Sequence, residues 1–309
     1  MKTLTRREYI SLIASLAVWF SVTAIFVGVR PEHILLCVLI AALFLASGTT
    51  RRLIVALMPF VVFGISYDWM NMLPNYMVNP VDTEGIYNAE KSIFGISSAC
   101  GTILTPNEFF ARHTSTVSDF LGGIFYLCWV PVPIIFGLWL YYKNQRTTYL
   151  HFALVFLLVN LIGFAGYYIH PAAPPWYIAE HGFDVIIGCK GSVAGLKGFG
   201  EITGWNVFDG LYARNANVYA AVPSLHSAYT LVAFIYSLKA RCPQWIRVAL
   251  AIITVGIWFT AVYTSHHYII DVVLGIATAL AGWALFEFVL MKTQAMQRFI
   301  NAYSRYISK

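Results

Sequence analysis

The feature that most restricts this chain is the recurrence of long apolar runs with almost no charge inside them. Tyr9–Val29 is uncharged throughout, and His33–Thr50, Leu53–Tyr67, Phe120–Tyr142, Tyr149–His170, Pro223–Leu238, Val248–Thr264 and His267–Met291 follow it. A helix needs roughly 20 apolar residues to cross a bilayer. In hydrocarbon, every backbone amide must find its partner within the segment, so runs of this kind imply helices. The fold class expected is therefore all-α, a polytopic transmembrane helical bundle of about eight helices, forming one membrane domain over residues 1–309. Composition agrees: 59% of the residues are hydrophobic and 11% charged, against about 25% charged in a soluble domain. Pro131 and Pro133 fall inside the fourth run and are tolerable where neighbouring helices re-satisfy the backbone. The first run is too long for a cleavable signal peptide, and no A-x-A-like site follows it.

The formal net charge is +6, which in a soluble protein would raise nucleic acid as a partner. Here the basic residues lie in short runs between apolar segments, a topology signal. With the N-terminus inside, eight crossings leave fourteen of the 20 Lys and Arg on the inside, among them Arg51, Arg52, Lys143, Arg146, Lys239 and Arg241. Six fall outside: Arg30, Lys91, Arg112, Lys190, Lys197 and Arg214. The positive-inside rule thus favours both termini in the cytoplasm, and the short chain suggests a bacterial inner membrane. Two long loops, Asp68–Asp119 and Pro171–Val222, lie on the extracytoplasmic side, and loops of this length are usually functional. Within the first, Ile86–Phe94 reads either as a short interfacial amphipathic helix or as packed loop. In the second, Pro171, Pro174 and Pro175 bar a regular helix over the run His170–Trp176. Cys100 and Cys189 both fall outside, where a disulfide is permitted and free thiols are equally compatible.

Three histidines fall where helices meet the extracytoplasmic face: His170 ends the fifth helix, His226 starts the sixth and His267 starts the eighth. His267 and Asp271 are four apart, so on a helix they share a face. An ionisable residue within an apolar membrane segment is a functional hypothesis with a named partner. A carboxylate bonded to one ring nitrogen fixes the tautomer and raises the basicity of the other, as a nucleophilic or base histidine requires. In Val222–His226 (VPSLH), Pro223 suits a first helical position, which would leave the amides of Ser224 and Leu225 free as an anion site. Ser224 adds a hydroxyl and His226 an acid/base group. A capped helix with an interfacial histidine explains the same segment without function. Lys197 and Arg214 in the second loop are the cations best placed to neutralise a phosphoryl group, Lys190 less so. His266 points about 100° from His267 on a helix, to bind substrate or simply to sit at the interface. Glu287, near the cytoplasmic end of the last run, is expected to snorkel. No carboxylate cluster suited to magnesium appears, and HHYIID lacks the spacing of a zinc helix motif, so a site without metal or other cofactor is expected.

PSLHSA followed by SHHYIIDVVLG resembles the last two motifs of the type-2 phosphatidic acid phosphatase superfamily. It is most similar to the inositol phosphorylceramide synthase branch, in which PSLH replaces the PSGH of lipid phosphatases. HPAAPPWY and GSVAGLKGFGEITG resemble luminal segments of that branch, and the similarity spans Gly166–Gly275. The K-x6-R-P motif of the phosphatases is absent, and their Ser-Arg pair maps onto Thr260 and Ala261. By motif, only His226, His267, Asp271 and Ser224 carry over. The resemblance implies transfer of a phosphoinositol head group from phosphatidylinositol to ceramide or dihydroceramide through a phosphohistidine on His267, with His226 as acid and base. The alternative is a lipid phosphatase acting on phosphatidate, phosphatidylglycerophosphate or a polyprenyl diphosphate. A transporter using His and Asp for protons would carry its charges near the bilayer midplane; here they sit at helix ends.

Overall fold

A computed structural model of the chain describes residues 4–212 and 217–308. Its helices, in order, are α1 (Arg6–Phe26), α2 (Pro31–Ala46), α3 (Gly48–Ala56), α4 (Met58–Trp69), α5 (Gly85–Phe94), α6 (Pro106–Arg112), α7 (Thr116–Leu127) and α8 (Pro131–Tyr142). They continue with α9 (Arg146–Ile169), α10 (Pro175–His181), α11 (Lys197–Thr203), α12 (Val207–Tyr212), α13 (Leu225–Lys239), α14 (Gln244–Tyr263), α15 (Ile269–Ala284) and α16 (Gln294–Ser308). The only sheet among the described residues is a two-stranded antiparallel pair, Ile96–Ser97 with Ile103–Leu104. The architecture is an all-α polytopic bundle.

Each of the eight apolar runs is helical. Four are long and apolar enough to cross a membrane as single helices: α1, α9, α14 and α15 extended to Lys292. Two more spans form if each bent pair counts once, α3–α4 at 50° and α7–α8 at 46°. The second bend falls just before Pro131, the first residue of α8, so the proline breaks the span rather than riding inside it. α2 is a shorter apolar helix, and α13 has only 15 residues. The chain is a multi-pass membrane protein. Its apolar surface suits that setting: Ile13, Val18, Ile25 and Leu35 are all more than 60% exposed, a surface that lipid accepts and water does not.

The core is built on α9, which packs against α4, α8, α13 and α15 and buries Tyr149, Phe152, Phe156 and Val159 completely or nearly so. α14 flanks α13 and α7. Glycines let the segment before and at the start of α13 seat against its neighbours. A Cβ at Gly163 would run into Leu225, and one at Gly166 would stand 2.7 Å from the Pro223 ring. A Cβ at Gly275 of α15 would overlap the Ser224 carbonyl. Small residues that bring backbones together are the usual device for helix contact in membranes. Here they join the VPSLH segment to α9 on one side and α15 on the other.

Candidate active site

Where α13 and α15 begin side by side, a cavity of about 770 Å³ opens in the bundle. Tyr126, Trp129, Tyr167, Trp176, Tyr212 and Tyr229 make its walls largely aromatic, and His226, His266 and His267 supply ring nitrogens. No Lys or Arg among the described residues lines it.

The start of α13 differs from the sequence expectation. The Val222–Pro223 peptide is cis, Ser224 is the N-cap, and the helix begins at Leu225, so Pro223 lies outside it. The Ser224 amide is not free for an anion, because it donates to the Asp271 carbonyl at 3.0 Å. The Ser224 hydroxyl, fully buried, accepts from Ser227 at 3.1 Å. The amide hydrogen bond makes Ser224 join the segment before α13 to the start of α15, and Ser224 does not line the cavity.

His267 also differs. It lies in a turn after α14, in which the amides of His266 and His267 both donate to the Ala261 carbonyl, at 3.0 and 2.9 Å. α15 starts two residues later, so His267 and Asp271 do not share a helical face. They still meet: Asp271 is the third residue of α15, and its Oδ2 lies 3.3 Å from His267 Nδ1 while accepting from the Tyr268 amide at 2.9 Å. On the other side, His267 Nε2 is 2.9 Å from His226 Nδ1. A hydrogen on Nδ1 facing the carboxylate leaves Nε2 as a lone pair, so His226 Nδ1 is the donor across that contact. Tyr126 adds its hydroxyl at 3.4 Å from the same nitrogen. Burial holds the His267 imidazole at about 4, opposed by the Ala221 carbonyl, which favours the protonated ring. The ring is neutral at physiological pH, as a nucleophile needs.

His266 faces the cavity too, because the turn is not helical and the 100° separation does not apply. Its Nδ1 is 2.9 Å from the Thr264 hydroxyl, and the rings of Tyr126 and Tyr212 flank it. Burial lowers its pKa well below the ordinary value, helped by the neighbouring His267 and His226 and opposed by the Ser192 and Thr264 carbonyls. Two other sequence candidates are not brought into the cavity. Lys197 is exposed, pairs with Glu201 one helical turn on at 3.5 Å, and borders a separate shallow pocket. Its position on the outer face of α11 is set by Phe199, which turns inward. His170 is half-exposed and pairs with Asp82 at 3.2 Å. Arg214 lies outside the described residues, between Tyr212 and Asn217, both of which line the cavity. Glu287 does not snorkel: its carboxylate is turned inward and holds Tyr236, Lys239 and His151. All five cysteines are free.

Two residues in the loop between α4 and α7 escaped the sequence reading. Glu90 of α5 is fully buried and accepts from the Ile269 and Ile270 amides. Asn107 of α6, also buried, donates to the Val262 and His267 carbonyls. A signal for the first was available. Ile86 and Glu90 are four apart and share one face of α5, and an acid beside a buried Ile on an amphipathic helix needs a partner inside.

The PAP2 superfamily profile matches residues 101–285, a stretch that contains every residue of the histidine–aspartate chain. The chain is 54% identical over 303 residues to a phosphoinositol dihydroceramide synthase of Bacteroides thetaiotaomicron, covering 98% of this chain and 99% of the relative. It is 25% identical over 181 residues to an inositol phosphorylceramide synthase of Candida albicans, covering 55% of this chain and 37% of the relative. It is 26% identical over 134 residues to the inositol phosphorylceramide synthase catalytic subunit of Saccharomyces cerevisiae, covering 42% and 31%. No solved structure matches the chain significantly. The protein belongs to the PAP2 superfamily. It is a membrane phosphotransferase with a lipid substrate.

Proposed function

We propose that this protein transfers the phosphoinositol group of phosphatidylinositol to the primary hydroxyl of dihydroceramide or ceramide, at the extracytoplasmic face of a bacterial inner membrane. The observation that carries the reading is the chain Asp271–His267–His226 opening on a largely aromatic cavity. The 54% identity to a phosphoinositol dihydroceramide synthase over nearly the whole of both chains supports the choice of substrates. The orientation rests on the distribution of Lys and Arg between the apolar runs.

In the first step, His267 Nε2 attacks phosphorus. A P–N bond forms and the P–O bond to diacylglycerol breaks. Protonated His226 gives its proton to the leaving alkoxide, and diacylglycerol departs. In the second step, neutral His226 takes the proton of the sphingolipid hydroxyl. That oxygen attacks phosphorus, the P–N bond breaks, and a phosphoinositol sphingolipid is released. The free enzyme holds the two rings together at 2.9 Å, so the phosphodiester must part them before attack. Its negative charge favours a protonated His226 in a cavity lined by no Lys or Arg among the described residues. We assign the remaining positive charge to Arg214, flanked in sequence by cavity-lining Tyr212 and Asn217. His266 contacts the bound head group from the cavity wall.

Purified protein given labelled phosphatidylinositol with and without dihydroceramide tests the reading. The expected product is a labelled phosphoinositol sphingolipid that forms only with acceptor. Release of inositol phosphate whatever acceptor is supplied would make the enzyme a hydrolase.

A further inference from the structure

The turn that carries His267 is held from outside the catalytic motifs. The first amides of any helix lack intrahelical partners, and at α15 the N-cap is Tyr268, whose side chain cannot serve them. Asp271 takes the Tyr268 amide at 2.9 Å. The next two, from Ile269 and Ile270, donate to the two carboxylate oxygens of Glu90, at 2.9 and 3.1 Å. A carboxylate at a helix start is also favoured by the helix dipole. These amides lie between His267 and Asp271 in the chain, so Glu90 fixes the stretch that sets the geometry of that pair. Asn107 closes the other side of the turn, with its amide group 2.8 Å from the Val262 carbonyl and 2.9 Å from that of His267.

Glu90 is itself anchored. At the start of α5, Asp82 accepts from the Gly85 amide at 2.7 Å and the Ile86 amide at 3.3 Å, and its second oxygen pairs with His170. The Asp82 backbone pairs with residues 171 and 173, just beyond α9. Tyr87 ties α5 to α6 through Glu108 at 2.9 Å. The loop between α4 and α7 therefore runs as a strut from the end of α9 to the start of α15.

We propose that Glu90 and Asn107 are positioning residues for phosphoryl transfer, bracing the His267 turn so that Asp271 is free to hold the nucleophile. With Glu90 gone, two stranded amides compete for Asp271, the nearest buried carboxylate, and draw it from His267. The proposal rests on the reading of His267 and Asp271 as the reacting pair.

The test measures kcat, KM for phosphatidylinositol and thermal midpoint for Glu90→Ala, Glu90→Gln and Asn107→Ala, alongside wild type and His267→Ala from the same preparation. Small displacements of a reacting group cost up to about 100-fold, so kcat in Glu90→Ala should fall about 30-fold or more with KM within about twofold. Glu90→Gln keeps one acceptor oxygen and should recover part of kcat. It decides the matter if the alanine variant does not fold. Asn107→Ala should behave as Glu90→Ala does, more weakly. A kcat unchanged in Glu90→Gln and Asn107→Ala, with only the thermal midpoint lowered, overturns the brace and leaves a plain helix cap. Transfer surviving in His267→Ala instead overturns the reading of the site, so the two failures are distinct.

Discussion

At one end of α9, α13 and α15, Asp271 and His267 meet His226 beside an open cavity. At the other end of the same three helices, Glu287 meets His151 at 3.0 Å, Tyr236 at 2.6 Å and Lys239 at 2.5 Å. Both sites pair histidine with a carboxylate that is largely or wholly buried. They differ in compensation. Glu287 is matched by a lysine and by donors from two other helices, at a π-helical turn of the last span, Leu285–Val289. Asp271 has a histidine and a backbone amide, no Lys or Arg beside it among the described residues, and a ring next to it that lines the cavity. A buried ion pair that satisfies itself is a clamp. A carboxylate whose side-chain partner is a neutral ring beside a cavity instead orients that ring.

Substitution at the two ends should separate these roles. His267→Ala should lose on the order of 10⁴-fold or more in transfer and keep its thermal midpoint within a few degrees. Glu287→Gln should do the reverse. Stranding Lys239 and His151 should cost about 2 kcal/mol of stability, less than for a fully buried pair because Lys239 is partly exposed, read as a lower thermal midpoint in detergent. Its kcat per folded molecule should stay within about twofold. Activity lost at Glu287 without loss of stability would erase the distinction.

A pH profile sharpens it further. In the proposed mechanism His267 attacks as the neutral ring, and burial holds its pKa at about 4, below the ordinary 6.5. The acid limb of kcat/KM, which reports the free enzyme, should therefore appear only as pH falls toward about 4. A midpoint near 6.5 would mean the ring is hydrated and the cavity open to water. The smallest effect belongs to Lys197→Ala, where an exposed pair with Glu201 is removed. Transfer there should change less than about twofold.

The helices were legible because apolar length is a local property, but of the eight runs expected to cross, four are long enough as single helices and two more only as bent pairs. His226, His267 and Asp271 were legible because two short motifs carry them. The path by which they meet was not. The pairing of His267 with Asp271 was read as a helical face, whereas it arises from a turn closed by Ala261 and an acid in the first turn of α15. Pro223 was read as a helix start, whereas its tight seat against Gly166 places it before the cap. Glu90 and Asn107 reach their partners across 179 and 160 residues of chain, and no periodicity reports contacts of that range. Glu287 was read as an interfacial acid because its three partners come from two other helices, α9 and α13.

The central claim is that the open end of the bundle works through a covalent phosphoryl group on His267. Protein mixed with inositol-labelled phosphatidylinositol and no acceptor, then quenched in alkali and digested, should carry label on the peptide containing His267. That label should be acid-labile, vanish on addition of dihydroceramide, persist in Glu287→Gln and be missing in His267→Ala. Full transfer with no trapped label, or label retained in His267→Ala, would contradict it.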